Sequence, residues 1–174
     1  LGALQLALSE NPRLETNPQF LGMRVAASAM IGRLGDAEAD LQRPQLSADP
    51  SAKLWQGYIA AARGDWGLAR TAFVEGRDVL TAYTPHWQAR FLNASALADL
   101  QAGQLDTASR QAQRAAQSGD DTAKLYARLV MARVAAAKGQ TDDAVTALTA
   151  LTKSRYEPVA VRAELALVEV QFAA

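Results

Sequence analysis

The feature that most constrains this chain is punctuation that returns at nearly constant spacing. It falls at Asn17-Pro18, Asp49-Pro50, Thr84-Pro85, Asp120-Asp121 and Glu157-Pro158, and the second members are 32, 35, 36 and 37 residues apart. Proline is pre-organised for the first helical turn, where its missing N–H costs no hydrogen bond. Asn, Asp and Thr ahead of such a turn can accept from its exposed N–H groups. A second mark falls inside each period, at Gly35-Asp36, Gly64-Asp65, Gly103-Gln104 and Gly139-Gln140. Glycine tolerates the left-handed conformation that ends a helix. Each period therefore reads as helix, glycine turn, helix. Helices are expected near 18–33, 36–43, 50–63, 66–82, 85–102, 105–118, 121–138, 142–153 and 158–172. Residues 1–10 read as the second helix of a preceding repeat, closed by Asn11-Pro12.

Composition points the same way. The 174 residues include 38 alanines, and aromatics make up only 6%. Alanine is the best helix former because it loses no side-chain entropy. Sparse β-branched residues, rarely alternating with polar ones, leave no strand pattern, so the expectation is all-α. The length fits one domain, and 49% hydrophobic residues can fill its core. Lys and Arg total 18, as do Asp and Glu. That balance gives little support for nucleic-acid binding, which shows as basic excess. Without cysteine there is no disulfide, thiolate metal site or Cys nucleophile, and one histidine leaves no multi-His metal site. No cofactor is expected. The most apolar run, Leu129 to Ala137, is broken by Arg133 and falls short of the roughly 20 residues that cross a membrane. The chain starts at Leu1 with no signal-peptide pattern and reads as an excised piece of a longer protein.

Fixed offsets surround the turn glycines. Ala69, Ala108 and Ala144 lie five residues after them, and Phe73, Ala112 and Leu148 four residues further on. Small residues, Gly57, Ala96 and Ala132, lie seven before, where the two helices of a pair must touch closely. In these positions the chain resembles the tetratricopeptide repeat (TPR) family. The resemblance covers three repeats at about 50–82, 85–118 and 121–153, with a degenerate one at 18–43 and a partial one over 158–174. The family's tryptophan position falls on Lys53, Leu92 and Arg128, its leucine position on Gln56, Ser95 and Met131, and its tyrosine position on Ala60, Asp99 and Ala135. What is kept is the framework of turns and small residues.

The resemblance implies a single TPR-like domain over 1–174: a right-handed superhelix (α-solenoid) of stacked antiparallel helix pairs. One pair cannot bury its apolar stripe alone, and stacking completes the core. First helices would line a concave face that binds peptides or helices. By offset, the resemblance places Tyr58, Arg90, Asn93, Leu97, Tyr126 and Arg133 there. Tyr and Arg are enriched at interface hot spots. The lysine/asparagine clamp of chaperone-binding members is absent, since its positions hold Leu54 with Tyr58, Asn93 with Leu97, and Leu129 with Arg133.

Other candidate chemistry reads as structural. His86 would be a general base, but no G-x-S-x-G elbow supplies a nucleophile, so it reads as a surface group beside Trp87. The pairs Asp120-Asp121 and Asp142-Asp143 sit at helix starts, where acids complement the helix dipole, rather than in a calcium loop. The sparse glycines make no phosphate loop. Residues 107–138 hold Arg110, Arg114, Lys124, Arg128, Arg133 and Lys138 against Asp120 and Asp121, a basic excess spread over two helices and several faces, and so ordinary solvated surface. Trp55, Trp66 and Trp87 read as inter-helix packing.

The last helix carries Val159, Val161, Leu165, Leu167, Val168, Val170 and Phe172 around much of its circumference, and Leu1, Leu4, Leu6 and Leu8 do the same at the start. Neither end reads as a polar cap, so each is expected to pack on further repeats, another domain or a second copy. The expected function is a non-catalytic protein–protein interaction scaffold that binds a peptide or protein partner on its concave face, self-associates, or both. No nucleic acid and no direct membrane insertion are expected. Two other readings stand beside it: a spacer or oligomerisation arm of a larger envelope assembly, and an accessory domain of an enzyme whose active site lies elsewhere. Alanine richness, arginine over lysine and absent cysteine point to a bacterial origin, with a slight lean to an envelope-associated protein.

Overall fold

A computed structural model describes residues 2–173 and is all-α, with no strand among those residues. In chain order the α-helices are α1 (Gly2–Glu10), α2 (Pro18–Met30), α3 (Leu34–Leu41), α4 (Pro44–Ser47), α5 (Ala52–Arg63), α6 (Trp66–Glu75), α7 (Pro85–Gln101), α8 (Leu105–Ser118), α9 (Asp121–Ala137), α10 (Thr141–Thr152) and α11 (Glu157–Ala173). Two 3-10 segments, Pro12–Thr16 and Arg77–Ala82, link them. The chain forms two compact units, residues 1–80 and 81–174.

Asn17, Asp65 and Asp120 cap their helices with the expected chemistry, whereas Thr84 makes no side-chain cap bond at the start of α7. Asn17 Oδ1 accepts from Phe20 N at 2.9 Å, Asp65 Oδ1 from Leu68 N at 3.1 Å, and Asp120 Oδ1 from Ala123 N at 2.8 Å. Each satisfies an N–H that has no partner inside the helix. Pro18 and Pro85 occupy first-turn positions.

The glycine turns repeat in detail. Gly32, Gly64, Gly103 and Gly139 have φ between 72° and 81°. At each, the residue after the glycine donates to a carbonyl five positions back: Arg33 to Ser28, Asp65 to Ala60, Gln104 to Asp99 and Gln140 to Ala135, at 2.8–3.0 Å. The glycine itself donates three positions back, to Ala29, Ala61, Leu100 and Ala136. This is the Schellman arrangement, which requires a left-handed residue and therefore favours glycine.

The first of these turns corrects the sequence expectation. The sequence pattern places the turn at Gly35, but Gly32 makes it, and Gly35 lies inside α3. The chemistry of the second helix explains the shift. Five and nine residues after Gly32 come Ala37 and Leu41, both buried, the counterparts of Ala69 and Phe73. Two further expectations are revised. The helix expected over 66–82 ends at Glu75, where Gly76 packs so closely that a Cβ would meet Leu54 at 3.0 Å, and a 3-10 segment follows. The helix expected from residue 50 starts at Ala52, after Asp49 Oδ1 has taken the Ser51 N–H at 2.8 Å.

Packing follows the small-residue framework. A Cβ on Gly57 would lie 2.9 Å from the Phe73 ring, so α5 and α6 touch at the expected place. In the second unit, Ala96, Ala108 and Ala112 form one core with Val130 and Val134. Ala132 and Leu148 join Leu129, Leu151, Val159, Ala163 and Ala166 in another. Consecutive helices from α7 to α11 pack pairwise, and α9 also packs against both α7 and α11.

Candidate functional site

The second unit brings the sequence candidates together through a constant register. Its first helices, α7, α9 and α11, repeat every 36 residues, so Arg90, Tyr126 and Arg162 are equivalent, as are Leu97, Arg133 and Glu169. Equivalent residues touch where α9 meets α11. The Arg162 guanidinium lies 5.4 Å from the centre of the Tyr126 ring, a cation–π distance. Arg133 Nη2 lies 3.2 Å from Glu169 Oε2. Tyr156 meets Tyr126 edge-on at 6.1 Å. Helices that pack side by side at equal height place equivalent residues next to one another, which is why 36-residue spacing becomes spatial contact.

Arg90 belongs to a second cluster. Its guanidinium stands 5.7 Å from the Trp87 ring centre, and its Nε donates to His86 Nε2 at 2.9 Å. Trp87 stacks on Phe91 at 6.0 Å, and Tyr83 meets Phe91 edge-on at 5.0 Å. His86 Nδ1 lies 2.8 Å from Asp120 Oδ2. Because Arg90 donates to Nε2, that nitrogen carries no proton, so Nδ1–H is the donor to Asp120. The Ala123 N–H and then the His86 hydrogen bond hold the Asp120 carboxyl below its ordinary range, against the opposing effect of burial. The imidazole nitrogen a general base would use is thus occupied by an arginine. Two features that sequence treated separately, His86 and the Asp120 pair, form one clasp between α7 and the start of α9.

The remaining candidates divide. Tyr126 and Arg133 are half-buried. Asn93, expected on the open wall, is 8% exposed, and its Nδ2 donates to the Ala123 carbonyl at 2.9 Å. It faces the first turn of α9 instead, because a buried amide donor needs a partner and the Ala123 carbonyl oxygen can accept a second hydrogen bond beside its helical one. Leu97 packs against the core of Ala96, Ala108 and Ala112. Leu54 and Leu129, at the clamp positions, are buried. Tyr58 lies in the first unit, half-buried and edge-on to Trp55 at 6.0 Å. Arg162 and Glu169 were missed by sequence reasoning, although the 36-residue offset from Tyr126 and Arg133 would have found them.

The acidic pairs sit at helix starts. Asp120 caps α9, and Asp121, Asp142 and Asp143 lie in first turns. Among the described residues no group of three His, Asp or Glu side chains could hold a metal ion, and no helix is long and apolar enough to cross a membrane. The basic residues of 107–138 are dispersed: Lys138 pairs with Asp106 at 2.7 Å and Lys124 with Asp121 at 3.4 Å. In the first unit, a cleft of about 430 Å³ is lined by Leu4, Leu8, Arg24, Arg33, Asp36 and Asp40 among others. Asp40 is buried between Arg24 at 3.2 Å and Arg43 at 3.3 Å. No protein-family model, curated protein or solved structure matches the chain.

Proposed function

We propose that this chain is a non-catalytic interaction scaffold, a TPR-like right-handed stack of helix pairs that takes a peptide or helix from a protein partner across its first helices. The observation that carries the reading is the 36-residue register. It sets Arg162 against Tyr126 and Glu169 against Arg133 where α9 and α11 pack, and gives Arg90 the equivalent position on α7, which packs on α9 in turn. Rings and guanidinium groups held by one another need little further ordering when a partner arrives, which favours binding. They also offer both apolar faces and charge-assisted donors, as hot spots do. The engagement of both His86 nitrogens supports a role without catalysis.

The test is a quantitative pull-down with wild type, Tyr126→Ala, Arg133→Ala and the off-face control Arg110→Ala. Loss of a hot-spot side chain costs about 2 kcal/mol or more, at least tenfold in affinity. Partners retained by Arg110→Ala and lost by the other two variants support the reading. Full retention by both face variants removes it.

A further inference from the structure

Among the described residues of the second unit, α11 keeps an apolar surface open. On α11, Val161 is 47% exposed, Leu165 61%, Val168 49% and Phe172 89%. Their spacing of four, three and four residues places them on one stripe of the helix. The repeat register says what such a stripe is for. Thirty-six residues earlier, the same positions on α9 are Leu125, Leu129, Ala132 and Ala136, and Leu129 and Ala132 are buried in a core completed by Leu148 and Leu151 of α10 and by α11. One repeat earlier still, Ala96 of α7 is covered by Ala108 and Ala112 of α8 and by Val130 and Val134 of α9. In each earlier case a helix of the α8 or α10 type covers the seam, presenting alanine or leucine at i, i+4 and i+7, as Ala144, Leu148 and Leu151 do. On α11 the seam is open, and its residues are larger and more apolar than their equivalents on α7. Glu157 and Glu164 are exposed along one edge of the stripe and make that edge acidic, while the other edge carries Arg162 and Glu169, already engaged by Tyr126 and Arg133.

We infer that the Val161–Leu165–Val168–Phe172 stripe is a docking seam for an amphipathic helix with an alanine/leucine face of the α10 type and with lysine or arginine along the flank that meets Glu157 and Glu164. The inference rests on the covered equivalents in α7 and α9 and is independent of the polar rows assigned to the partner above.

The test measures fluorescence anisotropy of a labelled synthetic peptide with the sequence of residues 139–153, titrated with the full chain. A second peptide carries Asp143→Lys and Thr152→Lys, one on each flank of the Ala144–Leu148–Leu151 face. The expected result is one-to-one binding that weakens at least tenfold on Leu165→Glu or Val168→Glu. Leu6→Glu, at an equally exposed leucine of α1, leaves it unchanged. The lysine peptide binds several-fold more tightly at low salt and loses that gain at high salt, as screening requires. Both α11 positions are exposed, so the variants keep the wild-type circular dichroism. Three results overturn the inference: no binding by a monomeric chain; binding undiminished by the α11 variants, which would place the peptide elsewhere; or a self-associated chain that excludes the peptide and is dissociated by Leu165→Glu, which would give the seam to a second copy.

Discussion

Gly57 and Asp40 show how differently single residues can be read. Gly57 sits where α5 meets the Phe73 ring, and its offset from Gly64 is enough to find it, because close helix contact demands a small residue at a fixed distance from the turn. Asp40 could not be found this way. Its burial depends on Arg24 and Arg43, one on another helix and one beyond the end of its own, and no local pattern encodes that meeting. Burial outweighs both arginines and pushes the Asp40 carboxyl above its ordinary value of 3.8. A raised acid is favoured in its protonated form by folding. Its contribution is therefore present at pH below the ordinary carboxylate range and lost as pH rises through the folded-state value. Asparagine mimics the protonated acid at every pH. The stability of Asp40→Asn, measured by urea unfolding, is therefore expected to gain on wild type between about pH 3 and pH 7. A difference that moves the other way would show that the arginines, not burial, dominate the site.

At the scale of elements, helix starts and turns were legible wherever a cap or a glycine decides them, and misread where two glycines compete. Gly32 and Gly35 both follow an apolar helix, but only Gly32 has Ala37 five residues on, and only Gly32 has a positive φ. An alanine at Gly32 must hold the left-handed conformation, which costs about 1 kcal/mol or more, whereas Gly35 lies inside a helix with open space around it. Thermal unfolding is expected to show Gly32→Ala destabilised, and Gly35→Ala unchanged or stabilised by up to about 1 kcal/mol. The reverse order would return the turn to Gly35. The end of α6 and the short α4 were not legible, because Gly76 against Leu54 and the buried Leu46 are settled by tertiary packing. The candidate rows were half legible. Tyr126 and Arg133 follow from the turn offset, whereas their neighbours Arg162 and Glu169 precede no glycine turn among the described residues and are reached only through the 36-residue offset.

At the scale of the whole molecule, the proposed scaffold needs α7, α9 and α11 of the second unit to lie in an open row instead of closing into a bundle. Everything proposed here for the polar rows and the α11 seam follows from that arrangement. The chain has no cysteine, so spin labels can be placed at will on Arg90→Cys, Tyr126→Cys and Arg162→Cys, one equivalent site on each of α7, α9 and α11. Packed helices lie 8–10 Å apart. Dipolar electron paramagnetic resonance on the three pairs is expected to give roughly one helix spacing for 90–126 and for 126–162, and about twice that for 90–162. Three equal separations would mean a closed bundle and would contradict the account.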